Sequence, residues 1–291
     1  GGAVDGYDGT TIIIASSFAN DKAQDGGAIL AAIPTVLFCS FINNVASDAG
    51  GAIQSLDVYV EESDFIENSA NNSGGAIFSE YVETYNCTFT GNAAENGGAI
   101  SAREGILVNC SNFNDNRAEL GGAIESKNNV TVEDSEFKEN IAEYGGAIYS
   151  NSNVIVEDSE FIENSASNGG AILSRNNTYL TASKFNKNDA VSGGAIHSNS
   201  NVITEDCKFS QNNADYGGAI YCNSFLNVEN SEFIDNAADY GGAILCIGEM
   251  YVGKSKFYEN NAENGGAVCV NNSAVVEECD FFANNGECGG A

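Results

Sequence analysis

Between Gly145 and Asn168 apolar and polar residues alternate with a period of two, in short runs broken by Asn-rich or acidic punctuation. Ile148 and Ser150 form one pair, Val154 and Val156 a second, Ser159 and Phe161 a third. Period two marks strands, and the polar breaks mark corners, so this segment predicts three short strands and no helix. The same pattern recurs along the whole chain. A Gly-Gly-Ala triplet returns from Gly1 to Gly289 at intervals of 25, 24, 24 and 23 residues and then eight times at 24. Each interval carries a Phe: Phe18, Phe41, Phe65, Phe89, Phe113, Phe137, Phe161, Phe185, Phe209, Phe233, Phe257 and Phe281.

Twelve segments with the same pattern need twelve equivalent environments, which a stacked solenoid supplies. No two-residue hairpin turn recurs, so each strand must pair with its counterpart one repeat on, and the sheets are parallel. Residues 1–291 are thus read as a single array, an all-β, right-handed parallel β-helix with three parallel sheets and about 12 coils of about 24 residues. Helical repeats fail on period and Gly content. A leucine-rich repeat needs a denser Leu framework than nine Leu provide, and the GGxGxD calcium-roll motif is absent.

Within a coil, Gly145 and Gly146 read as a corner, with Ala147 keeping the next position slim. Three residues after the Phe stands an Asn column: Asn44, Asn68, Asn92, Asn116, Asn140, Asn164, Asn188, Asn212, Asn236, Asn260 and Asn284, with Asp21 as its one departure. Amides stacked one rung apart hydrogen-bond from coil to coil, so this column is read as a structural ladder.

Composition narrows the function. With 41 acidic residues against 11 basic ones the net charge is −30, which phosphate backbones and anionic headgroups repel, so neither nucleic acid nor membrane insertion is expected. The longest apolar stretch, Ala28 to Cys39, is broken by Pro34 and falls short of the roughly twenty residues of a spanning helix. No cap is visible at either end, so an excerpt of a longer array or a filament protomer that self-associates end to end is expected.

Candidate chemistry is sparse. Cys39, Cys87, Cys207 and Cys279 occupy a column otherwise filled by Ser, and Cys222 and Cys246 another; Cys222 with Cys246, and Cys87 with Cys110, are candidate disulfides one rung apart. Glu133, Glu157, Glu205, Glu229 and Glu277 share a column, with Asp134, Asp158 and Asp206 beside it. Lys184, Lys187, Lys208, Lys254 and Lys256 interrupt the acidic faces. Such rows suit at most diffuse Ca²⁺ binding, and no other cofactor or metal is expected. Sequons fall at Asn71, Asn86, Asn109, Asn129, Asn176 and Asn271, all off the ladder, and make N-glycosylation a candidate modification. The single His, His197, stands at an outward position in a column with Tyr149, Leu173, Tyr221 and Leu245, which together with Phe78 is expected to expose an apolar stripe. Catalysis needs singular residues where this chain has columns, so no catalytic residue is assigned.

The pairing of GGA(I/L/V) with FxxN, as in Gly121-Gly122-Ala123-Ile124 and Phe137-Lys138-Glu139-Asn140, resembles the repeat of the polymorphic outer-membrane proteins, chlamydial autotransporter adhesins with a pectin-lyase-like β-helix. That resemblance implies an extracellular or cell-surface location and a non-enzymatic structural or adhesive role, as a β-helical adhesin shaft or a filament subunit. Its partner would be a host or neighbouring cell-surface protein or glycan. The alternative is a carbohydrate-active enzyme or glycan-binding module using one sheet face.

Overall fold

The structure, a computed structural model, describes residues 1–290. They form a stack of coils built entirely from strands, with no helix among the described residues. A representative coil holds Ile148–Ser150, Val154–Glu157 and Glu160–Ile162. Each strand pairs in parallel with its counterpart 24 residues on: Ile148 with Ile172, Val154 with Thr178, Phe161 with Phe185.

The first two strands of each coil belong to one 20-stranded sheet and the Phe strands to a 12-stranded one. Two smaller sheets and a line of isolated parallel bridges, such as Ser165 with Asp189, complete the coil. In four early coils the first two strands run on as one, at Val4–Ile14, Ile29–Leu37, Ile77–Tyr85 and Ile100–Asn109, and the register shifts at the corner, between Gly6 and Thr10 and between Ser79 and Tyr81.

Inward positions are Ile148, Ser150, Val154, Val156 and Phe161, each at most 1% exposed. Successive Phe rings stack with centroids 4.7–5.0 Å apart and planes within 8°. Each buried ring contributes about 1.5–3 kcal/mol of burial, so this column and the Ile/Val columns hold the core.

The corners satisfy the backbone that the strands leave over. Asn164 Nδ2 donates to Asn188 Oδ1 at 3.0 Å and to the Phe137 carbonyl at 2.9 Å, while its own Oδ1 accepts from the backbone N–H and the side-chain Nδ2 of Asn140, each at 3.0 Å. The pattern repeats from Asn44 to Asn284. A second ladder, not anticipated from the sequence, runs through the Ser two residues before the Phe: Ser135 N–H donates to Ser159 Oγ at 3.0 Å, and Ser159 Oγ donates to the Glu157 carbonyl at 2.8 Å. Cys207 fills one of its rungs, its N–H donating to Ser231 Oγ at 3.1 Å and its thiol to the Glu205 carbonyl at 3.2 Å.

The Gly pair divides its work. Gly145 has φ +66°, whereas at Gly146 a Cβ would sit 1.9 Å from the Gly170 carbonyl oxygen of the next coil. The first Gly supplies a left-handed turn and the second a close coil-to-coil approach. Two further left-handed corners per coil, at Asp158 (φ 46°) and Glu163 (φ 55°), carry side chains. Inter-coil hydrogen bonds fix them: Asp158 N–H donates to the Thr181 carbonyl and Glu163 N–H to that of Asn186.

A groove along the stack

From Ile124–Ser126 onward the first strand of each coil is only three residues long, as at Ile148–Ser150, where Ile148 and Ser150 turn inward and Tyr149 outward. The outward column runs in register through Gln54, Phe78, Ser101, Glu125, Tyr149, Leu173, His197, Tyr221, Leu245 and Cys269. The expected exposed stripe is not there. Tyr149, Leu173 and Leu245 are only 3%, 4% and 5% exposed, and just Phe78 and Tyr221 of the expected residues reach half-burial. A corner follows immediately on either side of so short a strand, and the chain rises there into two ridges. Tyr144, Asn168, Ser192, Tyr216 and Tyr240 form one, bridged coil to coil, and Asn151, Arg175, Asn199, Asn223 and Ile247 form the other. The column is therefore the floor of a groove parallel to the stack.

Toward the C-terminal coils the groove opens into an aromatic cavity of about 400 Å³. Tyr216 and Tyr240, stacked at 5.6 Å and 42% and 41% exposed, wall it; Tyr221 and Leu245 floor it, and Ile247 faces them. His197, expected to point into solvent, is buried beside this cavity. Its ring stacks on Tyr221 at 4.7 Å, Nε2 lies 3.2 Å from Asn199 Oδ1, and Nδ1 has no partner. Burial lowers its pKa below the usual value, so the ring is neutral at neutral pH.

Nearer the N-terminus the floor changes character. At Ser101 and Glu125 the aromatic and aliphatic residues give way to polar ones, and the facing ridge carries Arg103 and Lys127 at the positions held by Asn151, Asn199 and Asn223 in later coils. A cavity of about 250 Å³ lies between them, lined also by Phe78, Asn96 and Asn151. Glu125 is 4% exposed and Oε2 accepts from Ser101 Oγ at 2.7 Å. Burial pushes its carboxyl above the usual carboxylate range, offset in part by that hydrogen bond and by the Lys127 ammonium. Arg103 lies over the Phe78 ring at 5.0 Å and pairs with Glu80 at 2.7 Å. Arg175, two coils beyond Lys127 on the same ridge, lies over Tyr149 at 5.6 Å. Sequence reasoning missed this cluster, although its signal was present as two breaks in otherwise regular columns.

The remaining candidates lie elsewhere. All nine cysteines are free thiols, so neither expected disulfide is formed. Cys222 and Cys246 are register partners whose thiols lie within hydrogen-bonding reach of each other but stay unbonded, each also meeting a backbone carbonyl, of Ser200 at 3.3 Å and of Ser224 at 3.6 Å. Cys87 faces Ser111 across the rung, with Cys110 one position off at a left-handed corner, so that pair is out of register. Of the sequons, Asn71, Asn86, Asn129, Asn176 and Asn271 are exposed, whereas Asn109 is half-buried and donates to Glu133 at 3.0 Å. Glu133 and Glu157 are direct neighbours across the ladder, as are Glu205 and Glu229. Lys187 reaches Glu163 at 3.2 Å and Lys256 reaches Glu232 at 3.3 Å; both pairs are exposed and worth little. Among the described residues no three metal-ligating side chains converge.

Parallel strands in register, inward Phe and Asn ladders and a lateral groove define a class of protein. The chain belongs to the right-handed β-helix family, whose profile, described as right handed beta helix region, matches residues 83–257. Two stretches, residues 38–56 and 62–80, also match the Chlamydia polymorphic membrane protein repeat. Comparison with curated proteins and with solved structures returns no match.

Proposed function

We propose that the chain is the β-helical shaft of a non-enzymatic cell-surface adhesin, and that its lateral groove is the surface that meets the partner. The observation that carries this reading is the groove itself: a continuous outward column, buried at the floor and walled by exposed Tyr216 and Tyr240, along a rigid hydrogen-bonded stack. The polymorphic-membrane-protein repeats support an outer-membrane or cell-surface location. A stack whose coils each contact only their neighbours suits a stiff spacer, since every rung repeats the same hydrogen bonds. Acidic outer columns keep such a rod soluble and turn non-specific contacts away from anionic surfaces.

Two measurements test the proposal. Antibodies to the protein should label intact cells of the source organism without permeabilisation, and beads coated with residues 1–291 should attach to partner cells. A Tyr216→Ala/Tyr240→Ala double variant should reduce attachment while leaving the melting temperature nearly unchanged. Labelling only after permeabilisation, or attachment unaffected by loss of both tyrosines, would refute the reading.

A further inference from the structure

We infer that the aromatic cavity floored by Tyr221 holds a guanidinium group, the side chain of an arginine presented by a partner protein. The inference rests on the groove being a contact surface and names the chemistry of what fills it.

The chain supplies its own template for the occupant. Phe78 is followed one coil on by Arg103, two residues past the register partner Ser101, and that guanidinium lies over the ring at 5.0 Å. Tyr149 is followed in the same way by Leu173 and Arg175, whose guanidinium lies over the ring at 5.6 Å. The Arg175 charge is felt across the groove at Tyr144, where it opposes the rise in pKa that Glu143 causes. A cation over an aromatic face is held because that face is the negative end of the ring quadrupole. Tyr221 repeats the arrangement with one change. Its register partner is again a leucine, Leu245, but the position two residues on is Ile247. The arginine is missing at this third ring, and there the groove opens into the cavity of about 400 Å³.

The walls suit the same occupant. Tyr240 stands where the Arg175 coil has Asn168, so a second tyrosine joins Tyr216 on the ridge. Asp215 and Asp239 precede the two tyrosines, both exposed and neither in an ion pair among the described residues. No lysine or arginine lines the cavity, and the neighbouring His197 is neutral. An aromatic cavity with carboxylates on its ridge and no cation of its own, in a chain of net charge −30, favours a positive ligand. A guanidinium suits it better than an ammonium, being planar, weakly hydrated and able to stack on a ring. Its source is a side chain from a partner, since the chain's own position for it is filled by Ile247.

The test uses the intact 291-residue protein and three probes: a capped glycine peptide with a single central arginine, its citrulline counterpart, and choline. Ligand-observed nuclear magnetic resonance titration reads the Kd of each. The arginine peptide should bind, more weakly as salt rises, and the neutral citrulline peptide should bind at least about fivefold less tightly, the loss of one cation–ring contact. Ile247→Arg gives the Tyr221 coils the guanidinium that the Tyr149 coils carry and should abolish binding. Tyr240→Asn, copying Asn168, should weaken it about fivefold. Glu259→Gln, on an exposed corner away from the groove, should change nothing. Circular dichroism melts establish that each variant is folded. The inference is overturned if the arginine peptide does not bind at millimolar concentration, if citrulline or choline binds as tightly, or if folded Ile247→Arg and Tyr240→Asn both bind like the parent. Bead attachment that persists in those cases, and still needs the tyrosines, leaves the adhesin reading standing. Arginine binding that Ile247→Arg blocks, with no cell attachment by the parent, would uphold this cavity and sink the adhesin reading.

Discussion

Replacing Asn164 by Ala tests the ladder at the middle of the stack. The side chain makes four hydrogen bonds: two donated by Nδ2, to Asn188 Oδ1 and the Phe137 carbonyl, and two accepted by Oδ1, from Asn140 N–H and Nδ2. Asn140 and Asn164 are both fully buried, so water cannot replace what is lost. At about 1 kcal/mol net for each bond the variant should lose about 4 kcal/mol. The orphaned Asn140 N–H alone sets a lower bound of about 1 kcal/mol. In a stack where each coil touches only its neighbours, a defect there also weakens the coupling between the flanking halves, so the transition should broaden or split. Urea unfolding followed by far-ultraviolet circular dichroism reads both effects. Asn223→Ala, at an exposed site on the ridge, is the reference and should stay within about 0.5 kcal/mol of the parent. If Asn164→Ala costs less than about 1 kcal/mol, or no more than Asn223→Ala, the ladder is not what holds the corners.

Three further outcomes follow from the same geometry. Gly146→Ala should destabilise by about 3 kcal/mol or more, since its methyl would overlap the Gly170 carbonyl, and an unchanged melting temperature would contradict the close coil approach. Burial raises the Glu125 pKa above its ordinary 4.5, so its proton stabilises the fold fully below that pH, and this contribution is lost as pH rises through the elevated value. Glu125→Gln should therefore raise the melting temperature at pH 7 relative to the parent, with the gain vanishing by pH 4; a variant less stable at pH 7 would refute it. In a native thiol titration at pH 8, Cys110, Cys269, Cys279 and Cys288 should react first, while the buried Cys39, Cys87, Cys207, Cys222 and Cys246 wait for denaturant. Burial pushes the Cys87 thiol up to about 12, and immediate reaction of all nine would show that the core opens readily.

Much of this protein is legible without its tertiary structure. The 24-residue period, the Phe and Asn columns and the Gly pair force parallel coils in register, because only equivalent rungs give twelve similar segments the same neighbours. Period two also identifies Tyr149 as outward and Ile148 as inward. It says nothing, however, about how sharply the chain bends on either side of a three-residue strand. That bend turns an outward column into a buried floor, and it is set by the left-handed Gly145 on one side and the bend at Asn151 and Ser152 on the other. Inter-coil hydrogen bonds between residues about 24 apart impose those corners. The same separation conceals the cluster of Ser101, Arg103, Glu125 and Lys127, which the linear sequence spreads over two repeats and the stack brings to one cavity. Repetition along the chain determined which positions are equivalent; curvature, fixed by contacts between coils, decided which of them face water and which face one another.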